Sequence, residues 1–171
     1  NRMKTLSVKQ PWAYLICSGI KDIENRTWRT SYRGRVLIHA SAKCTMDIRM
    51  FLNMTSQQMD QVYKIADSLG QNFEAIKCGA IIGSVEIVDC VVNHPSVWAE
   101  KSEKGQCDIT GKWIKPIYNW VLANPILFDE PILNIKGKLG FWDYEFSEDL
   151  AMHLVCGTEN KYHTYTKYNI V

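Results

Sequence analysis

Hydrophobic and polar positions change period several times along the chain, and each change predicts an element. LSVKQ (6–10) alternates as a short strand. PWAYLICSG (11–19) reads as a helix of about two turns. Pro11 suits its first position and Gly19 a left-handed cap at its end. IENRTW (23–28) predicts a strand with Ile23, Asn25 and Thr27 on one face and Glu24, Arg26 and Trp28 on the other. RTSYRG is a turn, RVLIHASA (35–42) the next strand, and TMDIRMFLNM (45–54) a short helix.

The segment 55–70 predicts a longer helix. Thr55 and Gln58 have capping-box spacing, Met59, Val62, Tyr63, Ala66 and Leu69 form one core-facing stripe, and Gly70 ends it. GAIIGSVEIVDCVV (79–92) is apolar on both faces, as a central strand of a barrel or covered sheet is. Residues 93–112 are polar and mixed in charge, a loop long enough to be a flap or simply mobile. Strands follow within 113–132 and 138–146, and the tail beyond Phe146 has weak helical character. Five or six short strands with two or three helices predict an α+β fold on a closed or nearly closed barrel.

A length of 171 residues suits one domain with a real core. The expected boundaries are 3–146 for that domain and 147–171 for a C-terminal extension. Hydrophobic residues at 46% and charged residues at 22% argue against wholesale disorder. There is no apolar run of membrane-span length and no leader-like stretch ahead of Met3, so the expected setting is cytoplasmic, without membrane contact. The six cysteines show no CxxC-like spacing, and Cys17, Cys78 and Cys90 sit in apolar surroundings typical of buried reduced thiols. His39, His94, His153 and His163 add no metal-ligand spacing, so neither metal nor cofactor is expected.

Charge is uneven. Residues 21–49 hold seven Lys/Arg against three acids, a local +4 in a chain of net charge +2. A basic segment on a nearly neutral protein fits an anionic ligand. Within it, SGIKDIENRTW sets Lys21, Asp22, Glu24 and Arg26 among apolar neighbours.

Three blocks in this order, 6–43, 78–91 and 119–142, resemble the ASCH domain, a module related to the PUA fold. The Q-P-W, G-x-K-x-x-E-x-R and Y-R-G-R elements are similar to its coactivator-type branch. The resemblance covers roughly residues 5–145 and implies a small PUA-like mixed β-barrel with flanking helices and a cleft faced by Lys21, Glu24 and Arg26. It also implies RNA or other nucleic-acid ligands. Some ASCH-like proteins are amidohydrolases acting on acetylcytidine. They carry a lysine at the position of Lys21, a threonine nucleophile at that of Glu24, and a glutamate at a position matching Glu86. Here Glu24 stands where that hydroxyl would be.

Burying several ions costs several kcal/mol each, so a sequence selected for stability alone would place Val or Thr there. The cluster therefore reads as functional. Arg26 and Lys21 would meet phosphate or a base acceptor, and Glu24 would accept from an exocyclic amine or hold the two cations. Trp12 would offer a stacking face. The ligand-binding candidates are Gln10, Trp12, Lys21, Glu24, Arg26, Arg29, Arg33, Lys43 and Lys138. Arg35, Lys136 and His39 stand beside them, and Glu86 is expected to pair with Lys21 or Arg26. Two functions follow: a module binding RNA, single-stranded nucleic acid or a nucleotide, or a small amidohydrolase with Lys21 as base and Glu24 or Glu86 orienting water. A protein partner on the 93–112 loop is a third reading.

Overall fold

The structure, a computed structural model, describes residues 1–43, 53–68, 76–103 and 106–147. Along it run β1 (Arg2–Val8), α1 (Trp12–Cys17), β2 (Ile23–Arg26), β3 (Gly34–Ala40), α2 (Ser56–Ser68), β4 (Ala80–Val91), β5 (Tyr118–Ile132) and β6 (Phe141–Glu145). The strands make one six-stranded sheet in the order β2-β5-β4-β3-β1-β6. β1 and β3 run parallel, with Thr5 opposite Leu37, and the other neighbours are antiparallel. The sheet curls until its two edges face each other. Phe141 on β6 stacks on Trp120 of β5 at 5.3 Å and meets Trp28, just past β2, edge-on at 5.6 Å. Aromatic packing thus spans a seam that backbone hydrogen bonds leave open. The result fits the expected small α+β, PUA-like barrel with flanking helices, its sheet a curled half-barrel left open along that seam.

The six buried residues that open β4 explain its place between β5 and β3. Inside the curl, Val85, Ile87 and Trp120 pack with Leu6, Val36 and Ile38 and with Ala13, Ile16 and Cys17 of α1. Each such aliphatic side chain contributes about 1.5–3 kcal/mol on full burial. α1 ends as its sequence demands: Gly19 takes φ 82° and donates to Ile16 O at 3.1 Å. The backbone N–H groups of Ile20 and Lys21 then both reach Leu15 O, at 3.0 and 2.9 Å. That cap fixes where Lys21 begins.

Several expectations change. Residues 118–132 are one strand of 15 residues, bent where Asn124 adopts φ 48° and Pro125 interrupts the register with β4. Tyr63 is 60% exposed; among the described side chains of 53–64 the hydrophobic ones that pack on the cluster of Leu15, Ile23 and Trp98 are Met54 and Val62. The stretch 93–103 is no free flap. Asn25 donates to Trp98 O (2.9 Å) and accepts from Glu100 N (3.0 Å), while Asn119 accepts from His94 N (2.9 Å) and donates to Glu100 O (3.0 Å). The two amides bond each other at 2.9 Å, clamping the loop over the outer face of β2 and β5. Cys17 and Cys90 are buried free thiols as expected, but Cys78 is disulfide-bonded. Most of the helix expected at 45–54, the side chain of Ala66, Leu69, Gly70 and the extension beyond Ser147 lie outside the described residues. Among the described residues no helix is long and apolar enough to cross a membrane.

The tightest joint is Gly83 on β4. A Cβ there would lie 2.2 Å from Ile126 O and 2.7 Å from Cys17 Sγ. Gly83→Ala therefore has to separate β5 or α1 from β4. Urea denaturation should show a loss of about 1–3 kcal/mol or more. An unchanged midpoint would contradict this packing.

Candidate functional site

Three charged side chains form one chain on the inner face of β2 and the turn before it. Glu24 lies opposite Trp120, a core residue, so its carboxylate is on the concave side of the sheet. Glu24 Oε1 accepts from Arg26 Nε at 2.9 Å and Oε2 from Lys21 Nζ at 3.4 Å. The Lys21 ammonium also donates to Ile23 O. Arg26 Nη2 reaches Ser7 O on β1 at 3.0 Å. The pairing of β1 with β6 ends at Leu6 opposite Phe141, so Ser7 lies past the end of that ladder and the guanidinium takes its carbonyl. Indoles bracket the group: Lys21 Nζ lies 5.8 Å from the Trp12 ring centre, and the Arg26 guanidinium carbon 5.9 Å from that of Trp120.

Burial grades along this chain. The side chains of Lys21, Glu24 and Arg26 are 7%, 10% and 23% exposed. Among the described residues two cations share one carboxylate, which leaves a net +1. The charge opens outward at Arg26, whose Nη1 has no hydrogen-bond partner among the described residues. The arrangement presents a positioned N–H donor edge and positive charge beside aromatic rings, chemistry suited to an anion or a base acceptor.

The other candidates divide. Trp12 is half-buried, edge-on to Trp98 at 6.2 Å, and shares the Lys21 neighbourhood. Gln10 is buried with both ends engaged, Nε2 donating to Lys77 O (2.9 Å) and Oε1 accepting from Tyr14 N (3.0 Å), so it anchors the start of α1. Arg29 and Lys43 are exposed. Arg33 donates to Thr30 O and Tyr32 O (3.1 and 3.0 Å) and pairs with Asp89 at 3.2 Å. Lys138 and Lys136 are exposed on the 133–140 turn, Lys138 with Nζ 5.8 Å from the Trp142 ring centre.

Glu86 has a different partner from the one expected. Its β4 neighbours Val85 and Ile87 fill the interior, so Glu86 projects from the opposite face. There it accepts from Arg35 Nη2 at 3.0 Å and from Asn124 Nδ2 at 3.1 Å. Arg35, directly across the β3–β4 ladder, wins because it shares that face, whereas Lys21 and Arg26 lie on the other. The structure does not bring Glu86 to Lys21. Among the described residues no group of three or more His, Cys, Asp or Glu is arranged to hold a metal.

Sequence reasoning missed Ser7 O and Trp120. A backbone carbonyl left by the end of a ladder has no sequence signature, but Trp120 opposite Glu24 follows once β2 is paired with β5. His39 sits behind the site on the outer face. It is buried, its Nδ1 3.1 Å from Ser7 Oγ and its Nε2 2.9 Å from Ile135 O. The carbonyl requires Nε2–H to donate, so Nδ1 accepts from the Ser7 hydroxyl. Burial lowers its pKa from 6.5, partly offset by the Ile135 bond.

Two stability measurements follow. Glu24→Gln leaves Lys21 and Arg26 without their anion and should cost about 3 kcal/mol or more, as breaking buried pairs does. Lys21→Met, which keeps the Glu24–Arg26 pair and fills the same space, should cost much less. Equal losses in urea denaturation would contradict Glu24 as the shared centre. For His39, the unfolded chain takes up a proton near pH 6.5 before the folded protein does. Its stabilising contribution is complete above that pH and is lost as pH falls toward the lower folded value. The melting temperature should drop over that window in the native chain, and less in His39→Gln.

Comparison with known proteins agrees with this architecture. Activating signal cointegrator 1 of Homo sapiens is 33% identical over 87 residues, half of this chain and 14% of that protein. The Mus musculus protein of the same name is 31% identical over a stretch of the same size. The matched stretch is thus a small part of each relative. Residues 6–132 match the ASCH domain, and the chain belongs to that family.

Proposed function

We propose that this domain binds RNA or single-stranded nucleic acid, or a nucleotide fragment of one, at the Lys21–Glu24–Arg26 chain. The observation that carries the reading is the positive charge of that chain, uncompensated among the described residues, nearly sealed at Lys21 and more open at Arg26. A structural ion pair needs one cation per carboxylate, and the second adds desolvation cost without adding an anion. A phosphate or a base acceptor on Arg26 Nη1 would supply the missing partner, with Glu24 holding the guanidinium plane in position.

Membership of the ASCH family supports the reading. Arg29 and Lys43, both exposed, would extend the positive path, with Lys138 on the turn over Trp142. Arg33 would contribute less, because Asp89 already faces it. Gln10 would act indirectly, by anchoring the helix that carries Trp12. An amidohydrolase is less well supported: Glu24 replaces the hydroxyl nucleophile, and Glu86 is committed to Arg35 on the opposite face.

Fluorescence anisotropy with a labelled single-stranded RNA tests the proposal. Affinity should fall steeply from 50 to 200 mM salt, because phosphate contacts release counterions. Arg26→Gln should weaken binding about tenfold, the worth of one charge-assisted hydrogen bond. Salt-independent binding, or full affinity in Arg26→Gln, would overturn it.

A further inference from the structure

Residues 106–116 stand off the sheet beside the arginine end of the ion chain. Ile117 N donates to Ser102 Oγ at 2.7 Å, and Tyr118 lies opposite Arg26, so the base of this excursion adjoins the end of β2 that continues into Trp28 and Arg29. Its tip is a closed turn. Cys107 bridges Trp113, Asp108 N donates to Lys112 O (2.8 Å), and Gly111 N to Asp108 O (2.9 Å). One oxygen, Asp108 Oδ1, accepts from Thr110 N (2.8 Å), Thr110 Oγ1 (2.5 Å) and Lys112 N (3.0 Å). These bonds, the Thr110 hydroxyl first, hold the Asp108 carboxyl below its usual range.

A turn this firmly tied carries apolar side chains into solvent. Ile109 is fully exposed, Trp113 is 61% exposed and Ile114 48%. Exposed Lys112 and Lys115 flank Trp113 and Ile114. Across the base, Trp28 is 37% exposed, held edge-on by Trp120 at 4.5 Å. Lysine is depleted from the buried centres of protein–protein interfaces. An aromatic ring between two lysines, on a preordered support, is instead the composition that stacks a base and meets its phosphates.

We propose that the Cys107–Trp113 hairpin is a stacking finger for a single strand whose backbone is held at Arg26, with Trp113 against a base and Lys112 and Lys115 on phosphates. The proposal rests on the binding function above and adds a second, separable contact. It requires a strand long enough to reach from Arg26 to the hairpin.

The test is the binding of labelled oligouridylates of about 3 and about 10 nucleotides to the full chain. Trp113→Ala should weaken the longer strand about tenfold and leave the shorter one unchanged, and Trp113→Phe should restore most of the loss. The melting temperature should not move, since Trp113 lies mostly in solvent. Equal affinity of Trp113→Ala and the native chain for the longer strand would overturn the finger while leaving the Arg26 site intact. An equal loss for both lengths would also overturn it, as it would make the hairpin part of the first contact. Failure of the native chain to bind either strand would overturn both proposals.

Discussion

The hydrogen-bond ladder runs from β2 to β6 and stops, and what crosses between those edges is side chain. Phe141 closes part of the gap against Trp120 and Trp28, and Arg26 closes another part by reaching Ser7 O. The second contact orders much of the site. A guanidinium extended across the seam needs an anion to hold its plane, and Glu24 supplies one from the same strand face. Glu24 in turn draws in Lys21, which the α1 cap delivers to within 3.4 Å. Barrel closure and charge placement are therefore one feature of the structure.

That coupling explains why the cluster tolerates burial. Each ion loses hydration worth several kcal/mol, and Coulomb attraction at these distances returns a comparable amount only if polar atoms are satisfied. Carbonyls of Ile23 and Ser7 each take one further donor, from Lys21 and Arg26, and two indoles lie beside the cations. The group is well held yet carries one positive charge too many. Surplus charge in a place of low solvation is a driving force for an anionic ligand, and its outlet is the most exposed member, Arg26.

Much of this was legible in the sequence. Alternation in IENRTW put Glu24 and Arg26 on one face, Pro11 and Gly19 framed α1, and the apolar run at 79–92 marked β4 as central. What was not legible depended on long-range pairing. Glu86 was assigned the wrong neighbour because its own strand does not say which residue lies across the ladder, and Arg35 does. Residues 93–112 read as a flap or a mobile loop because their polar residues look solvated one at a time, whereas Asn25 and Asn119 come from strands 94 positions apart and together satisfy the 93–103 part of it. Tyr63 kept helical spacing, but it is the adjacent Val62 that turns to the cluster of Leu15, Ile23 and Trp98.

Side-chain NMR of Arg26 during titration with a single-stranded RNA oligomer tests the central claim most directly. The account predicts that the Arg26 Nε–H resonance, already bonded to Glu24 in the free protein, shifts saturably with RNA and returns as salt is raised. If RNA binds, reported by backbone shifts elsewhere, while the Arg26 resonance stays fixed, the ion chain is a strut of the barrel and the ligand site lies elsewhere.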